Sequence, residues 1–289
     1  MSPAPHPIRI KSPGFSPALV AQVLDDALAH GTCVLGLAGL QGSGKSTLAA
    51  QLVALARTRG LRATALSLDD VYLTRGERLR LARDVHPLLA TRGPPGTHAL
   101  ALACDTLDAL RAGTRVRLPR FDKASDRRLP PSRWRVVEPV DFTVFEGWCL
   151  CVPAEDDAAL VAPINALERN EDVDGRWRRY CNTALRDDYP ALWSRIDRLW
   201  WLQPPGFEQV YDWRWQQELT LLARRGAGMS RAQVDRFVQH FERVSRQALR
   251  CLPARADRTH MLDADRRPVA MHAPMETSGV TPSPPHPSP

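Results

Sequence analysis

The run Gly39-Leu40-Gln41-Gly42-Ser43-Gly44-Lys45-Ser46 fits the spacing G-x-x-x-x-G-K-[ST] without adjustment. Glycines let the backbone turn so that successive N–H groups converge on one phosphate, and a helix starting there adds the positive end of its dipole. Lys45 is expected to reach the β- and γ-phosphates and the Ser46 hydroxyl to ligate Mg²⁺, with Thr47 completing the nucleotide-binding set. ATP and Mg²⁺ are the cofactors this chemistry calls for. The apolar run TCVLGLAG before the motif and the helical period of SGKSTLAAQLVALARTRG give it the strand-loop-helix context that its mechanism needs.

A metal-bound triphosphate also needs an acid near its γ end, and an alcohol acceptor benefits from a base that takes its proton. LRATALSLDD reads as a buried strand ending in Asp69 and Asp70, and VDFTVFEGW as another ending in Glu146. In an open parallel sheet, ligands gather beyond the carboxyl ends of the strands, so these acids are expected to face the phosphate loop. Asp69 is assigned as the base, within reach of the metal, and Glu146 as the acid that holds Mg²⁺ through its water shell. Asp70 is able to exchange roles with Asp69. The competing readings are a helix-capping pair opening DDVYLTRGER and a purely structural Glu146.

Phosphoryl transfer spreads negative charge that a closing cationic lid can stabilise while excluding water. Arg214, Arg224 and Arg225 lie on a charged helical segment after Gly206, and Arg214 is the expected catalytic cation. The glycines at 226 and 228 suit a hinge. Should the acceptor be an acid, its carboxylate needs a cation, and PRFDK offers Arg120 and Lys123. Asp70, Tyr72 and His98 complete the expected acceptor-binding set, with helix capping as the alternative for His98.

The elements that must position these groups follow from periodicity. SPALVAQVLDDALAH is an amphipathic helix expected to rest against the main sheet. HALALACDTLDALRAG reads as a helix stopped at Gly113, and RGPPGTH before it is too rich in Pro and Gly to be either element. TRVRLPRFDKASDRRLPP, with short extended pieces, clustered bases and breakers, is expected as a loop over an anionic site and not as a core element. Residues 172–196 read as largely helical, IDRLWWLQPP as a strand, and residues 206–228 as a charged helix. Ser230 is the N-cap of a last helix with Val234, Phe237, Val238, Phe241, Val244 and Ala248 on one face, and THMLD is the final strand. The alternation of strands and helices predicts an α/β fold, a parallel P-loop sheet with helices on both faces and a small lid. The expected boundaries are an N-terminal extension and helix over 1–31, a kinase domain over 32–271 and a disordered Pro-rich tail over 272–289.

Lys and Arg number 39 against 32 acids, a net charge of +7. The arginines are scattered among acids, as in RNEDVDGRWRR, which suits a solvated surface with an anion site and not nucleic-acid recognition. The six cysteines lack metal-ligand spacing and read as reduced. No stretch approaches 18 uninterrupted apolar residues, so the expectation is a cytoplasmic protein without a membrane partner.

GLAGLQGSGKSTLA, SLDDVYLT, RGPPGTH, LPRFDKASDRR, FEGW and DWRWQQE occur in the order found in the D-glycerate 3-kinase family, which the chain resembles over residues 34–269. That family is related to the uridine kinase and phosphoribulokinase group of P-loop kinases. The α/β pattern predicts five core strands; the resemblance implies their order, 2-3-1-4-5, and the conversion of D-glycerate and MgATP to 3-phospho-D-glycerate and ADP. It matches Asp69 to the base and Glu146 to the third-strand acid, and Lys45 and Ser46 to the phosphate-loop pair. The chain departs from the family at Ala99, where PGTH is usually followed by an aspartate, and in DKASDRR, which lacks the usual glycines. A pantothenate-like, nucleoside-like or sugar acceptor stays open, as does a nucleotide-binding regulator with weak ATPase activity.

Overall fold

The computed structural model describes residues 14–226 and 228–272. Helix α1 (Pro17–Ala29) is capped by the Ser16 side chain and leads through a turn into strand β1 (Val34–Gly39), buried along its whole length. Helix α2 (Lys45–Thr58) and strand β2 (Ala63–Ser67) follow, then helix α3 (Leu100–Arg111), strand β3 (Phe142–Gly147), helix α4 (Arg176–Asp187) and strand β4 (Arg198–Gln203). Helices α5 (Glu208–Arg225) and α6 (Arg231–Cys251) precede strands β5 (Arg258–Leu262) and β6 (Pro268–His272).

The sheet runs β2-β3-β1-β4-β5-β6, with every pair parallel except β5 with β6. The five parallel strands therefore stand in the expected order 2-3-1-4-5. The sixth, antiparallel strand was not expected. It begins with Pro268 and carries a register irregularity between Pro268 and Ala270, features that an edge strand tolerates and that weaken its signal in sequence.

Side chains alternate across the sheet with the strand period of two. Leu35, Leu37, Phe142, Val144 and Trp200 face α1 and α2, whereas Val34, Ala38, Phe145 and Trp201 face α3, α4 and α6. Helix α1 thus rests on the sheet as its apolar face requires. On α6 the capping box of Ser230 and Gln233 fixes the start, and Val234, Val238, Phe241, Val244 and Ala248 are buried, with Phe237 partly so.

Residues 172–196 are largely helical, as expected: α4 and a four-residue helix (Pro190–Trp193), with Asp172 accepting the N–H groups of Trp177 and Arg178 at the start of α4 and Pro190 opening the second. The basic segment after Gly113 holds the short extended pieces expected of it, and they pair: Val116–Leu118 with Arg135–Val137, and Phe121–Asp122 with Arg127–Arg128. Among the described residues no helix is long and apolar enough to cross a membrane, and none of the cysteines is bridged. The Pro-rich tail from residue 273 and the side chains of Arg224 and Arg225 lie outside the described residues.

Candidate active site

Strand β1 ends at Gly39 and the chain turns through the phosphate loop into α2. Gly42 and Gly44 adopt φ of 82° and 93°, where an L side chain is strained. A Cβ on Gly42 would also lie 2.5 Å from Trp213 Cβ, so only glycine fits beside α5. Lys45 is buried, and its Nζ donates to the Leu40 carbonyl at 3.2 Å inside the loop. Burial lowers its pKa, while the carboxylates of Glu146 and Asp69 work in the opposite direction. Gln41 and Ser43 each hold a buried side-chain oxygen without a partner, and Ser46 and Thr47 are exposed at the loop mouth.

Glu146 pairs in register with Leu37 of β1 and Ser67 of β2, which puts it between the phosphate loop and the acids after β2. The Ser46 hydroxyl donates to Glu146 Oε1 at 2.9 Å. Two hard oxygen donors this close suit Mg²⁺, which takes few protein ligands and keeps several waters.

Asp69 and Asp70 lie not at the strand end but in the single 3-10 turn Leu68–Asp70, whose first N–H groups are served by Ser67 Oγ at 3.2 Å from Asp69 N. The helix that follows, Arg75–Asp84, is capped by Thr74 in a capping box with Glu77, so the two aspartates are not its capping pair. The Asp69 carboxylate accepts from the Tyr72 hydroxyl and from Lys123 Nζ, the latter at 2.5 Å. Burial alone would raise its pKa, but Lys123, Tyr72 and Lys45 together outweigh it and hold the group at about 2. Asp70 accepts from Phe121 N at 3.1 Å and from Arg120 Nη1 at 3.2 Å, and burial pushes its pKa up against these partners. The small ladder at Phe121 thus hangs over both aspartates, with the Arg120 and Lys123 side chains more than half exposed.

His98 is buried but does not cap α3; Ala99 occupies that place, with no side-chain hydrogen bond. Its Nδ1 meets the Tyr189 hydroxyl at 2.5 Å, and its ring packs on Tyr72 with centroids 5.0 Å apart. Tyr189 also accepts from Gly96 N at 3.1 Å, which ties the RGPPGTH loop to the short helix after α4. Burial pushes His98 down to about 4, so the ring is neutral near pH 7. Tyr72 and His98 therefore form a buried floor under the aspartates. Arg214, on α5, bonds Glu218 at 3.1 Å, lies over the Phe237 ring, and feels the charges of Arg92 and Asp69.

Two residues at the site were not singled out in sequence. Tyr189 holds His98 across 91 positions, and Arg266, in the turn between β5 and β6, donates to the Gly42 carbonyl across 224. Neither separation leaves a local pattern to read.

No protein-family model matches the chain. The uncharacterized kinase mug58 of Schizosaccharomyces pombe is 33% identical over 257 residues, spanning 83% of this chain and 91% of that protein. The chloroplastic D-glycerate 3-kinase of Arabidopsis thaliana is 32% identical over 223 residues, spanning 72% of this chain and 46% of that protein. Among solved structures, D-glycerate 3-kinase from Cryptococcus neoformans aligns with a TM-score of 0.72 at 25% identity, covering 89% of this chain and 100% of that one.

Proposed function

Because this chain belongs to the family of P-loop kinases that includes the S. pombe kinase and the D-glycerate 3-kinases, we propose that it transfers the γ-phosphoryl group of MgATP to the 3-hydroxyl of D-glycerate. The observation that carries the reading is the convergence of Lys45, Glu146 and Asp69 under a hairpin that presents Arg120 and Lys123.

In this account the loop N–H groups and Lys45 hold the β- and γ-phosphates and oppose the charge that gathers on their oxygens. Ser46 and Glu146 would hold Mg²⁺, which would supply positive charge against the triphosphate. Asp69, ionised throughout the physiological range, accepts a hydrogen bond from the acceptor hydroxyl and orients its lone pair towards phosphorus. As the new O–P bond forms and the β–γ bridge breaks, the hydroxyl proton passes to Asp69 and the electron pair of the bridge leaves with ADP. Such a weak base suits a loose transition state, in which the proton is lost late. Asp70 braces the hairpin through Phe121 and Arg120.

Arg120 and Lys123 supply the cations for the acceptor carboxylate. Each is paired to an aspartate without substrate, so a carboxylate entering between them exchanges one ion pair for another. Arg214 adds positive charge from α5.

Asp69→Asn keeps the shape of the site and removes the proton acceptor. It is expected to bind MgATP as the parent does while D-glycerate-dependent turnover falls about 10²–10⁴-fold. Full turnover in the purified variant would contradict the assignment of the base.

A further inference from the structure

We propose that Arg266 is a positioning residue of the phosphate loop, which fixes the Gly42–Ser43 peptide so that its N–H, and not its carbonyl, faces the nucleotide phosphates. This rests on the nucleotide site proposed above.

The turn between β5 and β6 is tight: Arg266 N donates to the Asp263 carbonyl at 3.0 Å, and Arg267 N to Asp263 Oδ1 at 2.7 Å. Arg266 sits at φ 66°, a left-handed conformation that disfavours a side chain with a Cβ. Strain of this kind persists where the surroundings over-determine it, and here the side chain is bound at three places. Its Nε donates to the Gly42 carbonyl at 2.6 Å, its Nη2 donates to Gln216 Oε1 at 2.9 Å, and its guanidinium carbon lies 5.0 Å from the Trp213 ring centre. Trp213 is fully buried, stands against Gly42, and donates its indole N–H to the Ala264 carbonyl at 2.7 Å. The turn and α5 thus grip the loop at one glycine.

The consequence follows from peptide planarity. In a trans peptide the C=O and the N–H point to opposite sides, so holding the Gly42 oxygen against Arg266 commits the Ser43 N–H to the other side. There it donates to the Leu40 carbonyl at 3.2 Å, the same oxygen that accepts from Lys45 Nζ. This is the inner side of the loop, where a phosphate oxygen would replace Leu40 as the acceptor. Gly42, without a Cβ, resists peptide rotation poorly. A rotated peptide would aim a carbonyl at the phosphates, and Arg266 is the group that penalises that rotation. The same grip sets α5 against the loop at Trp213, the neighbour of Arg214.

The test is calorimetric titration of the full chain with MgADP and with Mg²⁺ and a non-hydrolysable ATP analogue, using Arg266→Gly and Arg266→Lys. Glycine accepts the left-handed backbone, so Arg266→Gly removes the guanidinium while relieving the turn; the urea midpoint is measured alongside. We expect nucleotide Kd to rise about tenfold or more in Arg266→Gly, as for a lost charge-assisted hydrogen bond, with acceptor KM within about twofold and partial recovery in Arg266→Lys. Unchanged nucleotide Kd in Arg266→Gly, or a lost affinity that lysine does not recover at all, overturns the proposal. Should Arg266→Gly fail to fold, Gln216→Ala, which frees one side of the guanidinium, is expected to raise nucleotide Kd about two- to threefold, and no rise overturns it. A parent chain that binds neither nucleotide would overturn the nucleotide site itself, a different result from an indifferent Arg266.

Discussion

At the scale of single residues, burial and pairing decide which groups are charged and therefore what each can do. Asp69 is partly enclosed, yet Lys123, Tyr72 and Lys45 hold it ionised, so it can act as an acceptor and not as a donor. His98 and His240 are driven the other way, each to about 4 by burial. Their ordinary value is near 6.5, so the unfolded chain binds more protons than the folded chain between about pH 6.5 and 4. Stability is therefore full above that window and declines as pH falls through it. Between pH 6.5 and 5 each buried histidine is expected to cost about 2 kcal/mol, of which replacing His98 by Gln should remove one share. Urea unfolding at pH 7 and pH 5 checks this: an equal pH dependence in parent and His98→Gln would contradict the buried, neutral state of His98.

At the scale of elements, what was legible in sequence is what local spacing encodes. The phosphate loop, the strands before it and after α2, and the Ser230 N-cap of α6 all show in adjacent residues, through glycine spacing, apolar runs and capping chemistry. The paired pieces of the basic segment were harder to see. Their strands are two or three residues long; the pair at Phe121 is held by contacts of Phe121, Arg120 and Lys123 with Asp69 and Asp70 some fifty positions away, and the other by Leu118 and Val137 in the core. Strand β6 was missed for a related reason, being short, Pro-initiated and ordered by β5 alone. Helix α3 gives Ala99 a structural place. This residue is the N-cap, its side chain accepts nothing, and the first turn holds no acid. An aspartate there has a capping role open to it, so Ala99→Asp is expected to stabilise the chain by about 1 kcal/mol and leave the acceptor KM unchanged. Denaturant midpoints and steady-state kinetics read the two effects separately, and a lower acceptor KM without a stability gain would instead make position 99 part of the acceptor site.

At the scale of the whole molecule, sheet order brings the site together. β1 is central, flanked by β3 and β4, so the phosphate loop has Glu146 beside it and the acids after β2 one strand further on. Helix α5 and the β5–β6 turn approach the loop from the opposite side, through Trp213 and Arg266. The fold thus grips the phosphate loop from both sides and places the basic hairpin over the acids that follow β2. The most direct test is ADP release by the purified chain with MgATP and D-glycerate, L-glycerate, pantothenate, uridine or ribulose 5-phosphate, with the phosphorylated product identified by phosphorus NMR. Selective formation of 3-phosphoglycerate from the D isomer is the predicted result. Phosphorylation of another acceptor with no D-glycerate-dependent turnover, or ATP hydrolysis indifferent to every acceptor, would contradict it.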